Sequence, residues 1–394
     1  MKHKITILIN TIGLIGLAFS ILFFVEGKPL GAAEPIKIGS VHAITGRGGF
    51  LGTGEKEAIT IIAEEVNLQG GILGRQIEVN LEDDQSNPTN AAMAVTKLIR
   101  DKKVCCVIGS SLVADCMAMI PICESEGVAN LPLAPVYESA VPFRKWVFKI
   151  GIIDNRASLK ILTFTINTLG ARKIALLHSS DTYGMTGAEI IMGNINKYGA
   201  SIVIREQFEP TDTNMIPQLT KVKAANPDVI ILYANAGPAA VIAKNYQQLG
   251  LETPVVGSHG IPRPEFPQLA GKIVEGGRWI IFGSKVSYAE KLPPDDPWRK
   301  NLFDPLMKSL KEKYGRTGWP ATAGNAHDAL RMAIEAIKIS GTDNRAALRD
   351  ALEKVKFQGL MGDYAYSPTD HDGASAEDLV PIIIKDGSYW PYKK

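Results

Sequence analysis

The sequence predicts an α/β protein of two doubly wound, parallel-sheet lobes joined by a multi-strand hinge. Three observations predict it. Short β-branched runs alternate with segments of helical period along most of the chain, the pattern of βαβ units around a parallel sheet. The alternation closes near residue 135 and restarts near residue 146, which makes two sets. Strands then return at the C-terminus after a helical third, so the lobes share more than one crossing. At 394 residues the chain is long enough for two domains.

The first set begins with IKIGSVHAI (36–44), a strand, and TGRGGFLGTG, which reads as a glycine loop. EKEAITIIAEEVN (55–67) places Ala58, Ile61, Ile62 and Val66 at helical spacing. Gly70 and Gly71 end that helix, because glycine takes the left-handed cap without steric cost. RQIEVNLED alternates as a strand. Ser86 or Asn87 caps the next helix, with Pro88 in its first turn. KVCCVIGS is a buried strand, followed by a helix from about Val113 to Glu126 with a kink expected at Pro121, and then the short strand GVANLPLAP.

The second set runs WVFKI (146–150), ARKIALLHSSD, SIVIREQF, DVIILYAN, TPVVGSHG and EGGRWIIFG (275–283) as strands. SLKILTFTINTLG, GAEIIMGNINKYG, MIPQLTKVKAANP and PAAVIAKNYQQLGL are the intervening helices. LPPDDPW is an irregular insertion. Helices around 300–314, 324–340 and 344–356 follow, and DYAYSP with LVPIIIKDGSYWP closes the chain as a hairpin.

Composition is that of a globular protein, 45% hydrophobic and 21% charged, with a formal net charge of +2. Such a balance argues against nucleic-acid binding, which needs a basic patch or stripe. Lys2, His3 and Lys4 precede an uncharged apolar stretch from Ile5 to Val25, and the small residues Gly31, Ala32 and Ala33 follow. Residues 1–33 therefore read as a secretory signal cleaved after Ala33, or as a retained anchor, since ~20 apolar residues also span a bilayer. With no Cys near that exit, lipid modification there is not expected.

Export permits disulfides, but the four cysteines are poorly placed for them. Cys105 and Cys106 are adjacent in a strand and point to opposite faces. Cys116 and Cys123 lie two helical turns apart, a rise of ~11 Å, too far to bridge. All four read as small buried hydrophobes.

No catalytic constellation is present. There is no G-x-S-x-G elbow, and nothing orders Ser110, Ser111 and His178. GRGGFLGTGEK (46–56) is neither a Walker loop nor a dinucleotide fingerprint, although Gly52 and Gly54 would expose N–H groups at a helix start. The six histidines are scattered without a metal-ligand spacing, so neither a metal nor another cofactor is expected. Asp83 and Asp84 end a strand before a capped helix and read as structural.

Ligands of open parallel sheets bind outside the carboxyl ends of the strands. The polar residues there are His42, Thr45, Ser110, Ser111, Tyr137, Asp181, Tyr183, Asn235, Ser258 and His259, drawn from both sets. Phe50 and Arg156 complete the candidate lining. Such a set suits a cleft that closes on a small molecule: apolar walls with a few placed polar groups.

NLQGGILGRQIEV followed by EDDQSNP (67–88) resembles the N-terminal signature of the leucine/isoleucine/valine-binding family of type I periplasmic binding proteins. IKIGSVHAITG, KLIRDKKVCCVIGS, SSDTYGMTGAE, DTNMIPQLTKVKAANPDVIIL, YQQLGLETPVVGS and NAHDALRMAIEAI fit the same family, in order, from about residue 36 to the C-terminus. The resemblance implies a monomeric extracytoplasmic receptor that captures a small molecule, an amino acid or organic acid, by hinge closure and passes it to the membrane subunits of an ABC-type importer. It places lobe one at 36–153 and 284–361, and lobe two at 154–283 and 362–394. The ligand-sensing domain of a signalling receptor shares this fold and is the alternative, though no output domain is expected beyond Lys394.

Carried over residue by residue, the resemblance is incomplete. The hydroxyl that holds the ligand carboxylate aligns with Val113, while Ser110 and Ser111 stand earlier. Of an Ala and Thr pair, Ala134 is kept and the Thr aligns with Val136. The aromatic of D-x-x-Y-G is kept as Tyr183. The acid that pairs with the ligand ammonium aligns with His259, in GSHG. A histidine is neutral or positive and never negative, so a buried ammonium would lack its partner. Either the ligand has no α-ammonium, being a carboxylate, aromatic ones included, or a neutral amide, or Asp115, Asp181 or another acid supplies the charge. Arg156, at the start of the first helix of lobe two, either pairs with a ligand carboxylate or forms a hinge salt bridge.

Overall fold

The computed structural model describes residues 33–134, 142–152, 154–320 and 322–393. The first set folds as β1 (Ile36–His42), α1 (Gly49–Leu68), β2 (Ile77–Asp83), α2 (Pro88–Arg100), β3 (Cys106–Gly109), α3 (Val113–Glu126) and β4 (Ala129–Leu131). Its sheet has the order β2-β1-β3-β4 and is parallel throughout. Asn87 caps α2 by accepting from the N–H groups of Thr89 and Asn90, with Pro88 at the first position.

The second set comprises α4 (Asp154–Thr163), β5 (Lys173–Ser179), α5 (Thr182–Asn194), β6 (Ser201–Phe208), α6 (Ile216–Ala225), β7 (Val229–Tyr233), α7 (Ala236–Gln248), β8 (Val255–Gly257), α8 (Glu265–Ala270) and β9 (Trp279–Gly283). The helical third holds α9 (Asp304–Tyr314), α10 (Ala323–Ser340) and α11 (Arg345–Leu352), followed by β10 (Lys356–Gln358), β11 (Asp363–Ala365), β12 (Val380–Lys385) and β13 (Ser388–Pro391). The second sheet has the order β13-β12-β9-β8-β7-β5-β6, with β12 and β13 added antiparallel at one edge.

The cores show how the chain returns to each lobe. Leu330, Ile334 and Ile337 of α10 pack with Ile36, Ile59, Ile62 and Ile108 of the first lobe. Ile382 and Ile384 of β12 join Leu232, Trp279 and Ile281 of the second. Segments 142–152, 284–303 and 366–379 run between the two sheets. Two of them are bonded to each other: Lys149 N donates to the His371 carbonyl at 2.8 Å, and the Tyr366 hydroxyl donates to the Lys149 carbonyl at 2.8 Å.

Three expectations are corrected. GFLGTG is not loop; α1 begins at Gly49. Glycine's low helix propensity argues for a loop, but packing overrides it here. A Cβ at Gly54 would lie 2.7 Å from the Pro320 Cβ, and one at Gly52 would strike the Ala43 carbonyl. Both glycines therefore sit inside the helix, past the first turn that would offer free N–H groups to an anion. WVFKI makes only a single bridge, Val147 to Asn130: Asn130 N donates to the Trp146 carbonyl and Phe148 N to the Asn130 carbonyl, but Pro132 has no N–H to continue the ladder. DYAYSP and LVPIIIKDGSYWP do not pair with each other: β11 pairs with β10, and the closing hairpin lies within the second segment, turning at Asp386 and Gly387. The cysteines are free and buried, as expected.

Candidate ligand-binding cleft

Parallel strands bring their carboxyl ends to one edge of each sheet, and the two edges face each other across a cavity of about 660 Å³. Leu51, Ser111, Leu112, Val113, Leu133 and Ala134 line the first-lobe wall, joined by Trp319 and Asn325 from the helical third. Tyr183, Asn235, His259, Gly260 and Arg263 line the second-lobe wall.

Polar groups of the first lobe are bonded to one another beneath its wall. His42 is fully buried, with Nδ1 2.8 Å from Glu55 Oε2 and Nε2 2.6 Å from Ser40 Oγ. The Ser111 hydroxyl donates to the same Glu55 oxygen and accepts from Ala43 N at 3.1 Å. The Ser110 hydroxyl donates to Asp84. Asp115, in the first turn of α3, is fully buried, and burial followed by the nearby Asp84 charge pushes its carboxyl up to about 6.

The second-lobe wall is arranged differently. The Tyr183 hydroxyl accepts from Gly260 N at 2.8 Å and lies 3.4 Å from His259 Nδ1. A Cβ at Gly260 would meet Asn235 Oδ1 at 2.8 Å and the Ala234 carbonyl at 2.9 Å, so only glycine lets this loop close on the α7 start. The rings of Tyr183 and Tyr233 stand at 80° and 87° to the His259 ring. Burial, then the Lys149 charge, then the Arg263 charge pull His259 down to about 4, so the imidazole is neutral at pH 7. Its Nε2 lies 3.6 Å from Asp154 Oδ1, which also accepts from the Tyr233 hydroxyl at 3.2 Å. Lys149 is fully buried, donates to the Gly151 carbonyl at 3.1 Å, and is pulled down to about 8 by burial. Asn235 stands before α7 without using its side chain as a cap.

Of the residues expected from the sequence, Ser111, Ala134, Tyr183, Asn235 and His259 come together on this cavity. His42 and Ser110 do not reach it; each is turned into the layer behind the wall. Phe50 is 67% exposed and outside the lining, because α1 starts before it and turns it to solvent. Arg156 binds Asp372, Asp370 and the Ala374 carbonyl, at 2.8, 3.1 and 2.7 Å, which is the salt-bridge alternative. Tyr137 lies outside the described residues. Asp181 caps α5 through Gly184 N at 2.9 Å. Among the described residues there is no cluster suited to a metal ion, and no helix long and apolar enough to cross a membrane.

Sequence reasoning missed Arg263, Lys149, Trp319 and Asn325. Arg263 lies four residues past His259 in the same strand-end loop, so the strand-end rule would have found it had it been carried further. Trp319 and Asn325 follow no strand and carried no such signal.

Residues 35–383 match the periplasmic binding protein family. The chain belongs to that family. Within it, the chain is a type I periplasmic binding protein of the leucine/isoleucine/valine-binding group. It is 22% identical to Leu/Ile/Val-binding protein homolog 3 of Brucella melitensis over 86% of this chain and 89% of that one. It is 24% identical to an amino acid binding protein of Pseudomonas aeruginosa, over 89% of this chain and 90% of that one. A crystal structure of an extracellular ligand-binding receptor from Rhodopseudomonas palustris HaA2 superposes with a TM-score of 0.79 at 28% identity, covering 91% of this chain and all of that one. The leucine binding protein LivK of Thermotoga maritima shares the fold at a TM-score of 0.73 and 24% identity, covering 91% and 98%. Members of this family bind substrates rather than turning them over, so this one is a binding protein and not an enzyme.

Proposed function

We propose that this periplasmic binding protein serves an ABC-type importer and captures an organic carboxylate that lacks an α-ammonium. In this reading residues 1–33 direct export, lobe one is 36–153 with 284–361, and lobe two is 154–283 with 362–394. The lobes close around the ligand, whose differential affinity for the closed state drives the motion.

The observation that carries the reading is the neutral His259 on the second-lobe wall. It occupies the place where the resemblance expects an acid, and two cations, Lys149 and Arg263, act on it. An ammonium brought there would lose its hydration and face positive charge, a cost of several kcal/mol. A carboxylate without an amine carries no such penalty. Apolar side chains of the first wall and the rings of Tyr183 and Trp319 suit an aliphatic or aromatic body.

A second reading, a branched-chain amino acid, is favoured by Asp154, whose Oδ1 lies 3.6 Å from His259. It is also favoured by the relatives, among them Leu/Ile/Val-binding protein homolog 3 of Brucella melitensis and the Leu/Ile/Val-binding protein of Escherichia coli.

Thermal unfolding of residues 34–394, first unfolded and refolded to strip bound ligand, separates the two. Leucine, isoleucine, valine and phenylalanine are set beside 4-methylpentanoate, benzoate and phenylacetate. A ligand at ~100 times its dissociation constant adds ~2.7 kcal/mol. Stabilisation by the amine-free acids alone is expected. Stabilisation by the amino acids alone would leave the transport reading standing and move the search for negative charge to Asp154.

A further inference from the structure

Arg263 has a pinned backbone and a free head. Its N–H donates to the Ile261 carbonyl at 2.7 Å. Its carbonyl accepts from Phe266 N at 3.1 Å and from the Tyr389 hydroxyl at 2.9 Å. Pro262 and Pro264 flank it and fix their own φ angles. The guanidinium, by contrast, makes no hydrogen bond or ion pair among the described residues.

That sets it apart from its own kind. Every other half-buried arginine among the described residues has a partner for its guanidinium: Arg345 donates to the Val104 and Ile99 carbonyls at 3.1 and 3.0 Å, and the rest reach a carboxylate within 3.2 Å. The acid acting most on Arg263 is Glu265, which is exposed and forms no ion pair with it; Glu55 acts more weakly from the first lobe. Tyr183 and Tyr389, the two phenols that act on it, stay protonated because burial raises both. A half-buried cation on a cleft wall, with its backbone pinned and its guanidinium left unpaired, is a seat for an anion.

We propose that Arg263 is the residue that holds the ligand's carboxylate, by bidentate pairing from the second-lobe wall. This assignment rests on the carboxylate reading above. It places the anion on the lobe that carries His259, so the apolar body of the ligand points to the first-lobe wall of Leu51, Leu112, Val113 and Leu133. An arginine fork matches a carboxylate geometrically, whereas a lysine in its place offers a point charge only.

The test compares acids with their amides. Calorimetric titration is run with 4-methylpentanoate and phenylacetate, and with 4-methylpentanamide and phenylacetamide, on the parent protein, Arg263→Gln and Arg263→Lys. Unfolding of each ligand-free variant confirms that it is folded. A hydrogen-bonded charge pair predicts that Arg263→Gln weakens acid binding by roughly 10- to 100-fold. Amide binding is expected to change by less than about threefold, and Arg263→Lys to recover part of the acid affinity. Equal losses for acid and amide would make Arg263 a structural residue and overturn the assignment. Unchanged acid binding in Arg263→Gln would overturn it too. If no acid binds the parent protein, the carboxylate reading itself fails, and the assignment falls with it.

Discussion

The strand-end polar groups behind the first-lobe wall and those on the second-lobe wall are used differently. Behind the first, Ser40, His42, Glu55 and Ser111 form one buried chain of hydrogen bonds, and Ser110 is spent on Asp84. On the second, Asn235 and Arg263 keep free side-chain ends, and His259 Nε2 has no hydrogen bond. Polar atoms bonded to each other stabilise the lobe; polar atoms left open can recognise something else. A strand-end polar residue is therefore not a ligand contact by position alone. What decides is whether its partners already lie inside the protein.

The largest effect tests the first wall. Glu55→Leu leaves the His42 and Ser111 donors without their shared acceptor. Each orphaned buried donor costs about 1–3 kcal/mol, so urea unfolding is expected to show a loss of about 2 to 6 kcal/mol. A loss below about 1 kcal/mol would mean that the chain of bonds is not structural.

Next comes pH, where the walls are expected to pull in opposite directions. His259 is held neutral, with its folded value near 4 against an ordinary 6.5. The unfolded chain then binds more protons between those values, so stability falls as pH drops from about 6.5 to 4. The contribution is on the order of 3 kcal/mol, and His259→Gln is expected to remove it from the pH profile. Asp115 behaves conversely. Its folded value near 6 lies above the ordinary 3.8, so the native state binds the extra proton and stability falls as pH rises through that window. Asp115→Asn is expected to raise the melting temperature at pH 7.5 and to change it much less at pH 3.5, where the carboxyl is protonated in the native state and mostly protonated in the unfolded chain. A lower melting temperature at pH 7.5 would show that the charged carboxylate is satisfied.

Phe50→Ala gives the smallest effect. The ring is 67% exposed, and a surface change of this kind moves stability by no more than about 0.5 kcal/mol. Ligand affinity is expected to stay the same; a measurable loss would return Phe50 to the site.

Much of the fold was legible because strands and helices repeat with different periods, as in IKIGSVH and in the Ala58–Val66 face. The start of α1 was not, because its glycines argue locally for a loop and only Ala43 and Pro320 show why they are helical. Ser111, Tyr183, Asn235 and His259 were legible because parallel strands deliver their carboxyl ends to one place. His42 and Ser110 were misplaced for a related reason. Neighbouring strand-end residues point alternately into the cleft and into the layer behind it, and a string of letters does not show which. Arg263 was within reach of the strand-end rule, four residues past His259, but that its guanidinium lacks a partner only the folded arrangement reveals.

The central claim is that His259, standing where an acid would be, makes the cleft reject an α-ammonium. It is tested most directly by titrating two matched pairs, 4-methylpentanoate with leucine and 3-phenylpropanoate with phenylalanine, into the parent protein and His259→Glu. The members of each pair differ by one amino group. The parent is expected to prefer an acid over its amino counterpart by at least about tenfold, a difference of ~1.4 kcal/mol, and His259→Glu to reverse that order. A parent protein that prefers the amino acid, with His259→Glu leaving the order unchanged, would contradict the claim.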